Sequence, residues 1–326
     1  MKWLLITNVD NENPGDEFIR IAIEDMIRRA DSDATFDLLN KDDPAHYHER
    51  PFDRAVWCGS PMFFEDCQDY PWWGALVRGW LFKDRSKILV LGVGDAVGPL
   101  PTSSRFAQAV DEVIQKSWAL VSRNWIIEDS RIIQSVCPAA FCLLDAKPKE
   151  RFICNLMEGA THEKNLNPRQ SAVWDEKIQD VSDWLKAHGF YFLGHNEPEE
   201  QLAMRLGWPE DRILERPATA QGYLDLYSTA KGYIGNRLHG AVVVAGSGGR
   251  AWGIGTDSRL KMAALAGARI SLPSQWRERD AKDWLANPEV LHNRSNGMLG
   301  NEWVRQCRLV KAFAAQEVLE VGSDSA

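Results

Sequence analysis

The sequence predicts an α/β protein built from two doubly wound, Rossmann-like domains that face each other across a cleft. Three observations carry the prediction. Short apolar runs stop at Gly, Asn or Asp, each is followed by a helical period, and a polar proline-containing stretch at 145–151 interrupts the alternation, which then restarts. A chain of 326 residues is long enough for two domains, each with its own core. The boundaries expected are 1–147 and 148–326, with a last helix at 302–320 placed to pack back on the first domain.

The elements follow in order. Trp3 to Thr7 is a buried strand, and Asp16 to Arg29 carries Phe18, Ile19, Ala22, Ile23, Met26 and Ile27 on one helical face. Strands are predicted at Arg54–Cys58, broken by Gly59-Ser60-Pro61, at Lys87–Leu91, broken by Gly92 and Gly94, and at Ala119–Ser122. After the break come strand Phe152–Cys154, helix Trp174–His188, strand Phe190–Leu193 and helix Glu197–Leu206. Gly232–Gly235 then leads into an apolar helix, Leu238–Ala245, and Trp252–Ile254 precedes a helix at 257–266.

Composition excludes several classes. The net charge of −8 and the lack of basic stripes argue against a nucleic-acid surface. No apolar run reaches membrane-spanning length, and the first apolar run, ended by Asn8, is too short for a secretory segment, which points to the cytoplasm. The six cysteines form no C-x-x-C pair and read as reduced core residues. His46 and His48 have no third ligand nearby, so no metal site is expected there.

Ligands of doubly wound sheets bind beyond the carboxyl ends of the strands. There the sharpest constellation is Gly235-Asn236-Arg237-Leu238-His239-Gly240, at a strand-to-helix passage. Free N–H groups at a helix start favour an anion, Arg237 adds a planar fork for carboxylate or phosphate, and His239 adds a proton carrier. The same pair would also serve as an interdomain salt bridge with a capping histidine. Asp16 opens the first helix as a cap or as part of the cleft wall. Arg123 directly follows a strand and either reaches across the cleft or lies on the surface. Asn155 and His195 each end or follow a strand facing the cleft, and Lys261 either adds a point charge or lies on a solvated helix face. Among the 14 tryptophans, Trp72 and Trp73 beside Tyr70 offer flat rings for a sugar face, or core packing.

These residues resemble a known family, the polysaccharide pyruvyl transferases. Arg237-Leu238-His239 is similar to the family's R-L-H motif entering a helix of the second domain, and Asn13-Pro14-Gly15-Asp16 to its N-x-G-D motif after the first strand. Asp257-Ser258-Arg259-Leu260-Lys261 resembles its Asp-then-Lys segment, Gly59-Ser60 part of its glycine-rich turn, and Gly92-Val93-Gly94 with Gly98-Pro99 another turn. The resemblance implies a glycosyltransferase-B-like fold with the acceptor on the first domain and the donor on the second. It implies transfer of a pyruvyl group from phosphoenolpyruvate to two hydroxyls of a saccharide, in surface polysaccharide or glycoconjugate synthesis. Arg237 would hold the donor and His239 would move protons. Asn13, Gly15, Asp16, Gly59, Ser60, Arg123, Asn155, His195, Asn236 and Lys261 would line the substrate site. Neither holding a charged donor nor moving protons requires a metal or a cofactor. A lipid-carried acceptor would bring the chain to a membrane surface without a spanning segment.

Two other readings stay open. One is a nucleotide-sugar-dependent glycosyltransferase of the same fold, for which Glu215 or Asp225 would have to hold ribose hydroxyls. The other is a silent, anion-binding or scaffolding relative, because two acidic positions of the family are Asn124 and Ala139 here.

Overall fold

The computed structural model describes residues 1–9, 14–64, 66–95, 103–123, 129–144, 150–160, 167–256, 259–287 and 292–317. Its apolar runs become the central strands of two sheets. The first contains β1 (Lys2–Thr7), β2 (Thr35–Asn40), β3 (Arg54–Cys58), β4 (Pro61–Phe63), β5 (Ile88–Asp95), β6 (Ala119–Ser122) and β7 (Ile133–Gln134). Their order is β2-β1-β3-β5-β6-β7, with β4 pairing to β5. The second contains β8 (Arg151–Asn155), β9 (Phe190–Leu193), β10 (Ile213–Leu214), β11 (Ala230–Gly235), β12 (Arg250–Ile254) and β13 (Arg269–Ser271), in the order β10-β9-β8-β11-β12-β13. Every pairing among the described residues is parallel, as a βα alternation with helical crossovers requires.

The helices are α1 (Gly15–Ala30), α2 (Ser104–Lys116), α3 (Pro168–Ala187), α4 (Glu197–Arg205), α5 (Ala220–Ser228), α6 (Leu238–Gly246), α7 (Leu260–Leu265), α8 (Glu278–Ala286) and α9 (His292–Ala315). Helix α6 is apolar on all sides and buries every residue but His239, which places it at the centre of the molecule. One continuous core runs from Trp3 and Leu5 through α1 and the 3-10 turn Pro138–Phe141 to α5 and α6. Phe18 of α1 meets Tyr227 of α5 edge-on, with ring centroids 6.2 Å apart. Gly246 ends α6 so close to the turn that a Cβ there would stand 1.9 Å from the Ala140 carbonyl oxygen. Ala139 belongs to this core and is fully buried, so the apolar residue at that position serves packing. Asn124 lies outside the described residues.

The last helix begins earlier and ends sooner than the spacing predicts, at His292 and Ala315 rather than 302 and 320, and it lies against α1. The Arg54 guanidinium fastens its end, with Nε donating to the Phe313 carbonyl at 3.2 Å and Nη2 to that of Ala314 at 3.2 Å. Arg54→Ala removes two charge-assisted hydrogen bonds at the end of α9, and should cost about 1.5–3 kcal/mol in urea unfolding. A variant as stable as the parent would mean that α9 is held by its apolar face and by its polar contacts to residues 134–136.

The tryptophan platform is not available to a sugar. Trp72 and Trp73 are 2% and 0% exposed, and Trp72 packs against buried Trp57 with centroids 5.3 Å apart. Only Tyr70 of that group is exposed. The rings are there because β3 and β5 need a cover on the face opposite α1. All six cysteines are free thiols.

Candidate functional site

In each sheet the strand order reverses at one point, beside β1 in the first and beside β8 in the second, and a crevice opens beyond the carboxyl ends of such strands. The chain places its chemistry there. A crevice of about 580 Å³, counting the space open to solvent, is walled by Asp16, Arg123, His195, Arg237, His239 and Arg259. Pro61, Met157, Asn236, Leu238 and Met262 complete the wall.

Arg237 is fixed from several sides. Gly235 lets β11 approach β8 closely, since a Cβ there would stand 2.5 Å from the Asn155 carbonyl oxygen. The next residue, Asn236, bridges strands: its Oδ1 accepts from the Met157 N–H at 2.9 Å and its Nδ2 donates to the Ile254 carbonyl at 3.0 Å. Tyr233 Oη donates to the Arg237 carbonyl at 2.9 Å. The guanidinium, 4% exposed, then meets Glu199 of α4, 3% exposed, with Nε donating to Oε1 at 2.7 Å and Nη2 paired to the same oxygen. The other oxygen of Glu199 accepts from Asn155 Nδ2 at 2.7 Å and from the His195 backbone N–H at 2.8 Å. The salt bridge therefore lies within the second half of the chain rather than across the halves. A buried carboxylate with this many donors holds Arg237 in one orientation.

His239 is the second residue of α6 and stands at the cleft wall. Gly15 makes room for it, because a Cβ at Gly15 would fall 2.1 Å from His239 Nδ1. Across the cleft, Arg123 Nη1 stands 3.2 Å from His239 Nε2. An arginine only donates, so Nε2 is the acceptor and the imidazole is neutral with its proton on Nδ1. Burial, then the cations of Arg123, Arg259 and Arg237, hold the histidine well below its ordinary pKa and keep it uncharged. Asp16 is shifted the opposite way: burial raises its carboxyl, against the pull of Arg123, Lys41 and Arg259. Proton-carrying groups of one crevice shifted in opposite directions from their ordinary values are a mark of acid–base sites.

The sequence-predicted residues divide accordingly. Arg123 is 1% exposed and faces the crevice rather than the surface, and Asp16 lines it while Pro14 occupies the capping position of α1. His195 lines it too, with Nε2 2.7 Å from Tyr227 Oη. Asn155 stands behind Glu199, and Asn236 ties strands together, so both act through the wall they build. Gly59 and Ser60 both have positive φ, 65° and 67°, and turn the chain from β3 to Pro61 at the crevice. Lys261 is exposed on α7 and is not part of the wall; Arg259, two residues earlier, is. Asn13 lies outside the described residues. Glu199, Arg259 and Tyr227 were not expected from the sequence. Among the described residues no three His, Cys, Asp or Glu side chains gather closely enough to hold a metal ion.

Two parallel sheets meeting at a crevice with their switch points aligned define a glycosyltransferase-B-like fold. The chain is similar to S. aureus MnaA, solved with UDP, at 9% identity over 100% of both chains and a TM-score of 0.56. It is also similar to the UDP-GlcNAc 2-epimerase of Neisseria meningitidis, bound to UDP-GlcNAc, at 11% identity over 95% of this chain and 99% of that one, with a TM-score of 0.53. At such identities the likeness concerns the fold. None of the curated proteins compared matches the chain. The family model for polysaccharide pyruvyl transferase matches residues 13–258, and the chain belongs to that family. It is a transferase. Among the described residues no helix is long and apolar enough to cross a membrane.

Proposed function

We propose that the protein transfers a pyruvyl group from phosphoenolpyruvate to a saccharide-containing acceptor, forming a ketal, and works in the cytoplasm. The observation that carries this reading is the convergence of Arg123, Arg237 and Arg259 with His239 on one crevice. A donor bearing both a phosphate and a carboxylate needs several cations at fixed positions, and guanidinium forks suit both groups. The reaction protonates the methylene carbon, forms a C–O bond from one sugar hydroxyl, releases phosphate with its bridging oxygen, and closes the ketal with the second hydroxyl. Of the two protons the hydroxyls give up, one ends on carbon and one on phosphate, so an acid and a base must face the same centre. Asp16 and His239, both part of the wall, are assigned that exchange. The acceptor approaches from the side of Asp16 and Pro61, and a lipid-carried one would bring the protein to a membrane surface.

A nucleotide-sugar donor is the competing reading, since the similar structures were solved with UDP or UDP-GlcNAc. Against it, Glu215 and Asp225 are both exposed and neither is part of the crevice wall. Titration calorimetry with phosphoenolpyruvate and with UDP separates the two. Saturable binding of phosphoenolpyruvate is expected, weakened at least about tenfold in Arg259→Ala, which corresponds to roughly 1.4 kcal/mol. Binding of UDP in its place would transfer the protein to the nucleotide-sugar class.

A further inference from the structure

The crevice raises a question of proton supply. Its reaction consumes a proton at carbon before the hydroxyls release theirs, yet the free protein holds His239 in a form with no proton at Nε2. Arg123 Nη1 lies 3.2 Å from that nitrogen and occupies its lone pair. The groups facing the imidazole are Arg123 at the end of β6, Arg237 at the start of α6, Arg259 ahead of α7, and Asp16 on α1, with His195 after β9 across the crevice. Glu199 stands behind Arg237 and offsets that one cation. Burial first, and then the cations of Arg123 and Arg259 ahead of Arg237, disfavour a charged His239, and these arginines line the same crevice.

We infer that an anionic donor entering this crevice brings a proton with it: the anion draws Arg123 away from His239, and the vacated Nε2 takes up a proton from solvent. The inference rests on the reading of the crevice as a donor-anion site and adds where the first catalytic proton comes from. Before binding, three guanidinium groups repel a positive imidazole. After binding, phosphate and carboxylate add negative charge beside them, and an imidazolium in the crevice gains a counter-charge. Gly15 keeps the ring in place, packed against the start of α1, so that the change is one of hydrogen bonding and not of ring position. The imidazolium then faces the donor with its N–H, and the neutral histidine left after proton transfer is again the partner that Arg123 needs. In this scheme Arg123 is a positioning residue for the proton as well as a ligand of the anion.

The experiment is calorimetry of the full chain at about pH 7.5, where the donor phosphate is already ionised, in buffers of widely different ionisation enthalpy. Two probes are used: phosphoenolpyruvate, and sulfate, which carries no titrating proton in this range. Uptake approaching about one proton per site is expected with either anion, and the affinity should fall with rising pH by up to about tenfold per unit. In His239→Gln the anion should still bind, with uptake reduced to near zero. Thermal melting confirms that the variant is folded. Binding without any buffer dependence overturns the inference, and so does uptake that survives in His239→Gln or disappears only in Asp16→Asn. Sulfate binding with uptake but no binding of phosphoenolpyruvate would leave the inference standing while the donor assignment fell. Binding of neither anion would remove both. If His239→Gln does not fold, the wild-type buffer series and pH dependence decide alone.

Discussion

Glu199→Ala is expected to cost about 3–5 kcal/mol of unfolding free energy, because it removes the carboxylate paired with a cation, Arg237, that has almost no access to water. The loss is larger than that of an ordinary hydrogen bond for a stated reason. Glu199 also accepts from Asn155 and from the His195 backbone, so four donors lose their partner together. Urea unfolding measures the effect. The double variant Glu199→Ala, Arg237→Met should recover most of the stability, since an apolar side chain tolerates the cavity that a bare charge does not. It should nevertheless bind donor at least about tenfold more weakly than the parent. A single variant as stable as wild type would show that Arg237 finds another anion, and the wall would then be less rigid than its hydrogen bonds imply.

Gly15→Ala should lower kcat by about a hundredfold while changing stability by little. Two effects compete at this residue. Alanine in a helix is favoured over glycine by up to about 1 kcal/mol, which argues for a more stable protein. Opposed to it, the added methyl would meet His239 Nδ1 at 2.1 Å, Cγ at 2.7 Å and Cε1 at 2.9 Å. Contacts that short against a ring cannot be absorbed by a flexible chain end, so the imidazole must move and its contact with Arg123 must break. If His239 moves protons as proposed, a displacement of about an ångström is enough for a loss of that size. Steady-state kinetics against a candidate acceptor reads the effect, and unchanged turnover would mean that α1, rather than His239, gives way.

Much of this organisation is legible in the amino-acid order. The buried strands β1, β3, β5 and β6 announce themselves because both faces are covered, leaving near-continuous apolar runs. Strand β2, with Thr-Phe-Asp-Leu-Leu-Asn half in solvent at a sheet edge, lacks that signal, and the two-residue strands β7 and β10 are too short to carry any. Helix α2 was not expected, although Phe106, Ala109, Val110 and Val113 bury one face of it. In the site, Arg237 and His239 stand out because polar side chains opening an apolar helix are unusual. Glu199 does not: it sits in a first turn with Glu197 and Glu200, three residues after the capping Asn196, where acids are ordinary. Nothing local marks it as the partner of a residue 38 positions away. Lys261 and Arg259 show the complementary difficulty. Both are cations in one short segment, and only the rotation of α7 decides which of them faces the crevice.

The seam between the halves, where α6 closes on the turn at 138–141, bears on how the molecule comes apart. A chain with two sheets invites division into two independently folding modules. Here the helix that carries His239 is wrapped by α1 from one side and by its own sheet from the other, and Gly246 abuts the Ala140 carbonyl with no space for a methyl group. Neither half could be cut free without laying bare the apolar surface that joins them. The two sheets are therefore expected to unfold as one cooperative unit, and exchanging first halves between relatives would require carrying α1, the turn and α6 together as a single cassette.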